Sequence, residues 1–196
     1  MSQGAAEAFP VQIVPMSSAY GLTGFCCGDR DLDEFIVDDA ERIHSERAAR
    51  IYLATTDDKA VGYIALIADT LILDTREKKR LGFRYGDPIH MPAVKVGRLA
   101  VAKSLHCRGI GKRLMRLAFY IAHDTSEKIG CRLLTLDALP SAAPYYERLG
   151  FVRNRAEGKR REEERKQGRR HDYTVSMRLD LRAPAMPAWA TPDPSL

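Results

Sequence analysis

The chain has 196 residues, of which 45% are hydrophobic and 29% charged, with a formal net charge of +5. That length suits one α/β domain with a real core, and the balance excludes a collagen-like or intrinsically disordered chain. No apolar stretch approaches the roughly 20 residues of a membrane span, and residues 1–10 lack the basic start and apolar run of a secretory signal, so a cytoplasmic protein with no membrane partner is expected.

After a flexible N-terminus at residues 1–10, residues 11–14 (VQIV) read as a first strand. The turn FCCGDRD then leads into a helix, for which Asp31 and Glu34 make a capping pair; Leu32, Phe35, Ile36, Ala40 and Ile43 recur at helical spacing. Residues 51–55 and 60–73 are β-branched apolar runs around the polar turn Asp57-Asp58-Lys59, which predicts a long antiparallel hairpin. Residues 74–92 lose the pattern and read as a loop with a short helical turn. A strand follows at 94–101, then a glycine turn and a helix striped by Ile110, Leu114, Leu117, Ala118, Ile121 and Ala122. A strand at 133–136, a short helix capped by Ser141 and stopped by Gly150, a short strand from Phe151 and a final strand at 173–181 complete the series. The sum is about seven strands and about four helices, an α/β (α+β) domain over residues 11–181. Four prolines beyond Arg182 predict a disordered tail at 182–196.

Cys26 and Cys27 are adjacent while Cys107 and Cys131 stand alone, so the four cysteines are read as free thiols and no metal site is expected. Charge is placed unevenly. Residues 153–170 hold nine Lys or Arg against four Glu, an excess of five equal to the whole net charge. This insert reads first as a solvated mixed-sign face and second as an attractor of phosphate-rich partners.

The segment VGRLAVAKSLHCRGIGKRLM, residues 96–115, carries the chemistry. A strand runs through a short loop into Gly109-Ile110-Gly111 at the start of an amphipathic helix, where unpartnered N–H groups and the helix dipole favour an anion. Glycines at 109 and 111 remove β-carbons from its path, and Arg108, Lys112 and Arg113 add charge. A Walker A loop would need glycine where His106 stands and Ser or Thr where Arg113 stands; a dinucleotide fingerprint would need Gly or Ala at Leu114. Both fail.

His106-Cys107-Arg108-Gly109-Ile110-Gly111 resembles the Q/R-x-x-G-x-G/A cofactor motif of the GNAT superfamily of acyl-CoA-dependent N-acetyltransferases, with His106 departing at the first place. The likeness spans roughly residues 11–152 and implies a mixed, mostly antiparallel central sheet flanked by helices, with acetyl-CoA as co-substrate. By that resemblance the main chain of Leu99, Ala100 and Val101 would bind the pantetheine arm, and the loop from His106 and Cys107 through Arg108, Gly109, Ile110, Gly111 and Lys112 the pyrophosphate. A narrower similarity is to the toxin–antitoxin branch that acetylates the amino group of aminoacyl-tRNA. It rests on Phe25-Cys26-Cys27-Gly28, Leu32-Asp33-Glu34-Phe35, the GRLAV strand at 97–101, Asp137-Ala138-Leu139, and Tyr145-Tyr146 before Gly150-Phe151. Toxins of that branch go quickly to the last strand, where this chain carries the insert 153–170. The resemblance implies an antitoxin protein as partner, and dimers are common among the relatives.

Transfer to an amine needs a neutral amine, a stabilised oxyanion and a proton for the departing thiolate. Tyr146 stands where the superfamily places a tyrosine beside the thioester sulfur. No general base stands out among Glu147, Asp137, His106 and His90, and for Asp137 a structural role near the strand end, satisfying backbone or Arg98, is the leading reading. The α-amino group of an aminoacyl ester loses its proton more readily than a lysine, so water suffices for it. A housekeeping acetyltransferase of small-molecule or protein amines, and a non-catalytic acyl-CoA- or RNA-binding module of the same fold, are the alternatives.

Overall fold

The computed structural model describes residues 10–84, 86, 90–167, 173–182 and 187–190. The N-terminal stretch 1–9, Arg169 and Arg170 of the basic run, and most of the tail lie outside the described residues. In chain order the elements are β1 (Gln12–Pro15), α1 (Arg30–Glu34) continuing through a π turn (Phe35–Asp39) into α2 (Ala40–Ser45), β2 (Arg50–Thr56), β3 (Lys59–Ile72), α3 (Thr75–Arg80) and β4 (His90–Val101). A 3-10 turn (Lys103–Leu105), α4 (Ile110–Ile129), β5 (Leu133–Ala138), α5 (Ala143–Arg148), β6 (Val152–Arg153), α6 (Arg155–Lys166), β7 (Val175–Asp180) and a second 3-10 turn (Ala188–Ala190) follow. Two compact units result: one from the chain up to Leu66 with Arg98–Leu117, the other from Ile67–Gly97 with the chain from Ala118 on.

In the first unit β1 pairs antiparallel with β2, and β2 with β3. Asp57 and Asp58, at φ 47 and 58, supply the two left-handed residues that a two-residue hairpin turn requires. The end of β4 joins β3 through the Ala102 N–H to the Val61 carbonyl at 2.8 Å. Gly62 makes that approach possible, since a Cβ there would stand 3.0 Å from the Ala100 carbonyl oxygen and 3.3 Å from Ile110 Cγ2. Ile51, Leu53, Tyr63, Ile64, Ile110 and Leu114 form the buried centre. The cap of α1 is Asp29, not the expected pair Asp31 and Glu34: its extended backbone lets the carboxylate accept from the Asp31 and Leu32 N–H groups, and Glu34 instead binds Arg30.

In the second unit β4 and β5 run parallel from Ala93↔Leu133 to Val96↔Leu136, and β7 pairs antiparallel with both β5 and β6. Strands β3 and β4 belong to both units, and the order is β1-β2-β3-β4-β5-β7-β6. The architecture is the mixed, mostly antiparallel seven-stranded sheet with helices that the sequence predicts. Asp74 and Glu77 close a full capping box on α3, so the patternless stretch holds a real helix. Helix α5 starts at Ala143 after Ala142 and without a side-chain cap, not at Ser141; Pro144 fits only in a first turn and sets the start.

The basic run folds as α6. Its first N–H, on Arg155, donates to Glu77 Oε1 at 2.8 Å, and that buried oxygen also accepts from Arg178 Nη1 at 2.8 Å. Arg178 Nη1 reaches Asn154 Oδ1 as well, and Asn154 Nδ2 donates to Ser176 Oγ. The buried charge is thus met on several sides, as burial demands. The expected disordered tail is corrected at Ala188–Ala190, where Trp189 is buried edge-on against Phe119 and donates its indole N–H to the Leu149 carbonyl at 2.8 Å. A large aromatic with its one donor satisfied outweighs the proline signal around it.

Candidate active site

Within the first unit, β4 delivers the chain to the head of α4. Its parallel ladder with β5 ends at Val96, so Leu99, Ala100 and Val101 lie past the last paired residue. Two left-handed residues follow, Cys107 at φ 62 and Gly109 at φ 82, flanking Arg108. A β-branched or bulky side chain at such a φ is strained, which accounts for glycine at 109. Space does not, because a Cβ at Gly109 would meet nothing within 4 Å and one at Gly111 only Val101 Cγ2 at 3.7 Å. The expectation that both glycines serve by removing β-carbons therefore holds for neither from inside the protein; backbone conformation is the reason at 109. By helix geometry the N–H groups of Ile110, Gly111 and Lys112 have no partner inside α4, while the Arg113 N–H takes the Gly109 carbonyl at 3.1 Å. His106 turns its ring back, Nε2 lying 2.9 Å from the Val101 carbonyl oxygen, and so closes the loop instead of reaching outward.

The FCCG and LDEF residues brace this loop. The Lys103 N–H donates to the Cys26 carbonyl at 2.9 Å, and the Lys103 side chain lies 3.6 Å from where a Cβ of Gly28 would stand. Asp33 accepts the Cys27 N–H at 2.7 Å. Burial alone would raise the Asp33 carboxyl, but hydrogen bonds from Cys27, Cys26 and Gly28 hold it below the usual carboxylate range. The Cys27 thiol is pushed up to about 11 by burial and by its bond to Asp33, which keeps it protonated and unreactive. Tyr63 stacks between Phe25 and Phe35 at 5.7 and 5.9 Å and donates to the Leu32 carbonyl at 2.9 Å. Arg98 lies over the Phe35 ring at 4.1 Å. Sequence reading placed Arg98 with Asp137; its partner is the aromatic cluster instead.

Within the second unit, α5 carries Tyr146, half-buried, edge-on to Tyr145 at 5.1 Å and to Phe151 at 5.9 Å. Burial, with the Tyr145 phenol beside it, pushes its hydroxyl up to about 12. Among the described residues that hydroxyl has no hydrogen-bond partner. Asp137 sits between Lys95 Nζ at 2.8 Å and Arg161 Nη2 at 2.9 Å, and Glu147 is paired with Arg153 at 2.8 Å. Both carboxylates are engaged by cations. Among the described residues no group of His, Cys, Asp and Glu could hold a metal ion.

Residues 47–153 match the family described as acetyltransferase (GNAT) domain. The chain belongs to that family. It is 27% identical over 128 residues to a tRNA-acetylating toxin of Mycobacterium tuberculosis, across 65% of this chain and 75% of that protein. Among solved structures it is similar to AtaT complexed with acetyl-methionyl-tRNAfMet, at a TM-score of 0.70 and 22% identity over 87% of this chain and 95% of the other. A mutant of the AtaT toxin bound to the C-terminus of the antitoxin AtaR and to acetyl-CoA gives a TM-score of 0.65 at 22% identity, covering 88% and 94%. At these identities the solved structures speak for the fold.

Proposed function

We propose that this GNAT enzyme moves the acetyl group of acetyl-CoA to the α-amino group of an aminoacyl-tRNA, and that it acts as a toxin paired with an antitoxin protein. The observation that carries the donor half is the head of α4, where a left-handed Gly109 with open space around it opens a turn of unpartnered amides directly after β4. Those features fit a diphosphate held by main chain, with Leu99, Ala100 and Val101 offering strand groups to the pantetheine amides and Arg108 and Lys112 adding charge. His106, Cys107, Ile110 and Gly111 shape the loop. The acceptor half is supported by the toxin relatives, one named for acetylating tRNA and one complexed with an acetylated aminoacyl-tRNA; the complex of AtaT with AtaR supports the antitoxin.

Bound acetyl-CoA supplies the thioester carbonyl that the amine attacks. Tyr146 serves the departing sulfur. Full transfer of a proton from a phenol near 12 to a thiolate whose acid titrates near 8.5 runs uphill by about 5 kcal/mol, so the phenol donates a hydrogen bond and keeps its proton. The proton that ends on sulfur then comes from the attacking nitrogen, which must shed one as the C–N bond forms and the C–S bond breaks. The engaged states of Asp137 and Glu147 agree with an acceptor that needs no dedicated base.

The test is incubation of the purified enzyme with labelled acetyl-CoA and charged tRNA. Label in RNA that mild alkali releases as N-acetyl amino acid is expected. Label confined to protein or to small amines would transfer the assignment to a housekeeping acetyltransferase.

A further inference from the structure

We propose that the cleft between the start of α3 and the flank of α6 is a docking site for the RNA backbone, with Tyr173 stacking on an adjacent base. The proposal rests on the aminoacyl-tRNA reading and locates where this chain holds the body of its substrate. The cleft has a volume of about 630 Å³, and Arg76, Arg155 and Lys159 line it together with Asp74, Glu162 and Gly158. Its two carboxylates are already committed. Asp74 caps α3 by accepting the Glu77 N–H at 2.8 Å, and Glu162 is paired with Lys166 at 3.1 Å. The side chains of Arg76, Arg155 and Lys159 are exposed and have no ion pair or hydrogen bond among the described residues.

Helix α6 sorts its cations by face. Arg160 is neutralised by Glu157 at 2.6 Å and Glu164 at 2.9 Å, and Arg161 by Glu157 and Asp137 at 2.8 and 2.9 Å. Arg155 and Lys159, one turn apart with a rise of about 6 Å, are left to face the cleft. A helix that needed charge only for solubility has no cause to pair some cations and gather the others against Arg76 of another helix. Gly158, which costs about 1 kcal/mol inside a helix, leaves the wall open, for a Cβ there would meet nothing within 4 Å.

Gly158 also borders a second cleft of about 200 Å³, lined by Arg165 and Tyr173. The Tyr173 ring is 72% exposed and carries the Arg165 guanidinium 5.2 Å from its centroid. An exposed aromatic beside a cation is a stacking platform for nucleobases, which an acidic protein would not use. Cationic cleft and platform together favour RNA.

The experiment is fluorescence anisotropy of labelled, deacylated tRNA against the full chain across a salt series, with folding checked by thermal melts. Arg155→Ala/Lys159→Ala should weaken binding about tenfold or more at low salt and lower the slope of log Kd against log salt by about 1.5 to 2, given roughly 0.7–0.9 per phosphate contact. Should that variant melt early, Arg155→Gln/Lys159→Gln makes the same measurement. Tyr173→Ala should weaken binding by roughly 5- to 100-fold with the slope unmoved. Acetylation gives the second readout: the ratio of kcat/KM for aminoacyl-tRNA to that for aminoacyl-adenosine should fall about tenfold in the double variant. Wild-type affinity and slope in the double variant would overturn the docking site while leaving the acetyltransferase reading intact. Affinity lost for poly-glutamate but kept for tRNA would assign the cleft to an acidic protein and equally overturn it. A wild-type enzyme that binds tRNA through the cleft yet acetylates no aminoacyl ester would sink the proposed function and leave the docking site standing.

Discussion

The head of α4 and the flank of α6 both present positive charge to phosphates, and they do so by different means. At α4 the donors are main-chain amides whose directions the fold fixes, with Gly109 at φ 82 setting the turn. At α6 they are the ends of long side chains, Arg155 and Lys159, which any similar cation could replace. Main-chain donors act at contact distance and depend on backbone conformation; side-chain donors act through a screened field and depend on charge count. The first arrangement suits one diphosphate held in one pose, and the second a polymer that need only be kept near. Substitution should therefore hurt α4 through geometry and α6 through salt dependence.

Neither region performs chemistry on this reading, so the largest effect belongs to Tyr146. Tyr146→Phe keeps the ring against Tyr145 and Phe151 but removes the donor to sulfur; kcat should fall by about 10²- to 10⁴-fold. Affinities for acetyl-CoA and tRNA should stay at wild-type values by calorimetry and anisotropy. A kcat within a few-fold of wild type would remove Tyr146 from the reaction.

The contrast itself is sharpened by two variants of the α4 loop. Gly109→Val forces a β-branched residue into the left-handed region, at a cost of about 1–2 kcal/mol or more, and acetyl-CoA affinity should drop about tenfold or more at every salt concentration. Arg108→Ala should lose only a few-fold, and that loss should fade as salt rises. If the two variants exchange these behaviours, side chains rather than amides hold the diphosphate.

One residue that shapes the α4 region carried no sequence signal. Gly62 lies inside an apolar run, 47 positions before Gly109 in a chain read without relatives, and only the packing of β3 on Ala100 and Ile110 shows why no β-carbon fits there. Gly62→Ala should lower stability by about 1–3 kcal/mol, the range for overpacking, measured by thermal unfolding. An unchanged melting temperature would mean that β3 and β4 give way freely.

The strands and α4 were legible because their signals are local: alternation, a β-branched run, an apolar stripe, a polar turn at Asp57-Asp58. So was the loop, since the glycine turn and its neighbours stand in one window. What the sequence hid depends on partners far along the chain. Glu77 reads as one more charge in a basic helix, yet it is buried because Arg178 and the Arg155 N–H come to it from 101 and 78 positions away. Asp137 looked like a partner for Arg98 and is held by Lys95 and Arg161, the latter from an insert whose helix the charge run alone did not announce. Trp189 was lost among prolines. The caps failed at short range: Asp29 precedes the pair that had been favoured, and Pro144 overrode Ser141.

A third arrangement of charge bounds the comparison, because it serves the fold and meets no ligand. Arg132 grips Asp180 with two bonds, Nε to Oδ1 at 2.6 Å and Nη2 to Oδ2 at 2.8 Å, while Nη2 also donates to the Leu81 carbonyl at 2.9 Å and the guanidinium lies 5.0 Å from the Phe83 ring centroid. Burial would raise the Asp180 carboxyl, but the bonds from Arg132 and the Arg182 N–H outweigh it and hold the carboxyl below its ordinary range. A carboxyl depressed by folding contributes stability that is fully present above its unfolded value, near 3.9, and is lost as pH falls through the lower folded one. Arg132→Met should cost about 1–3 kcal/mol at pH 7, with little dependence on salt because the pair is largely shielded from solvent. Urea unfolding from pH 7 downward should show the gap between wild type and variant constant to about pH 5 and shrinking below about pH 4. A gap that stays open at pH 2 would show that Arg132 stabilises through Leu81 and Phe83 alone.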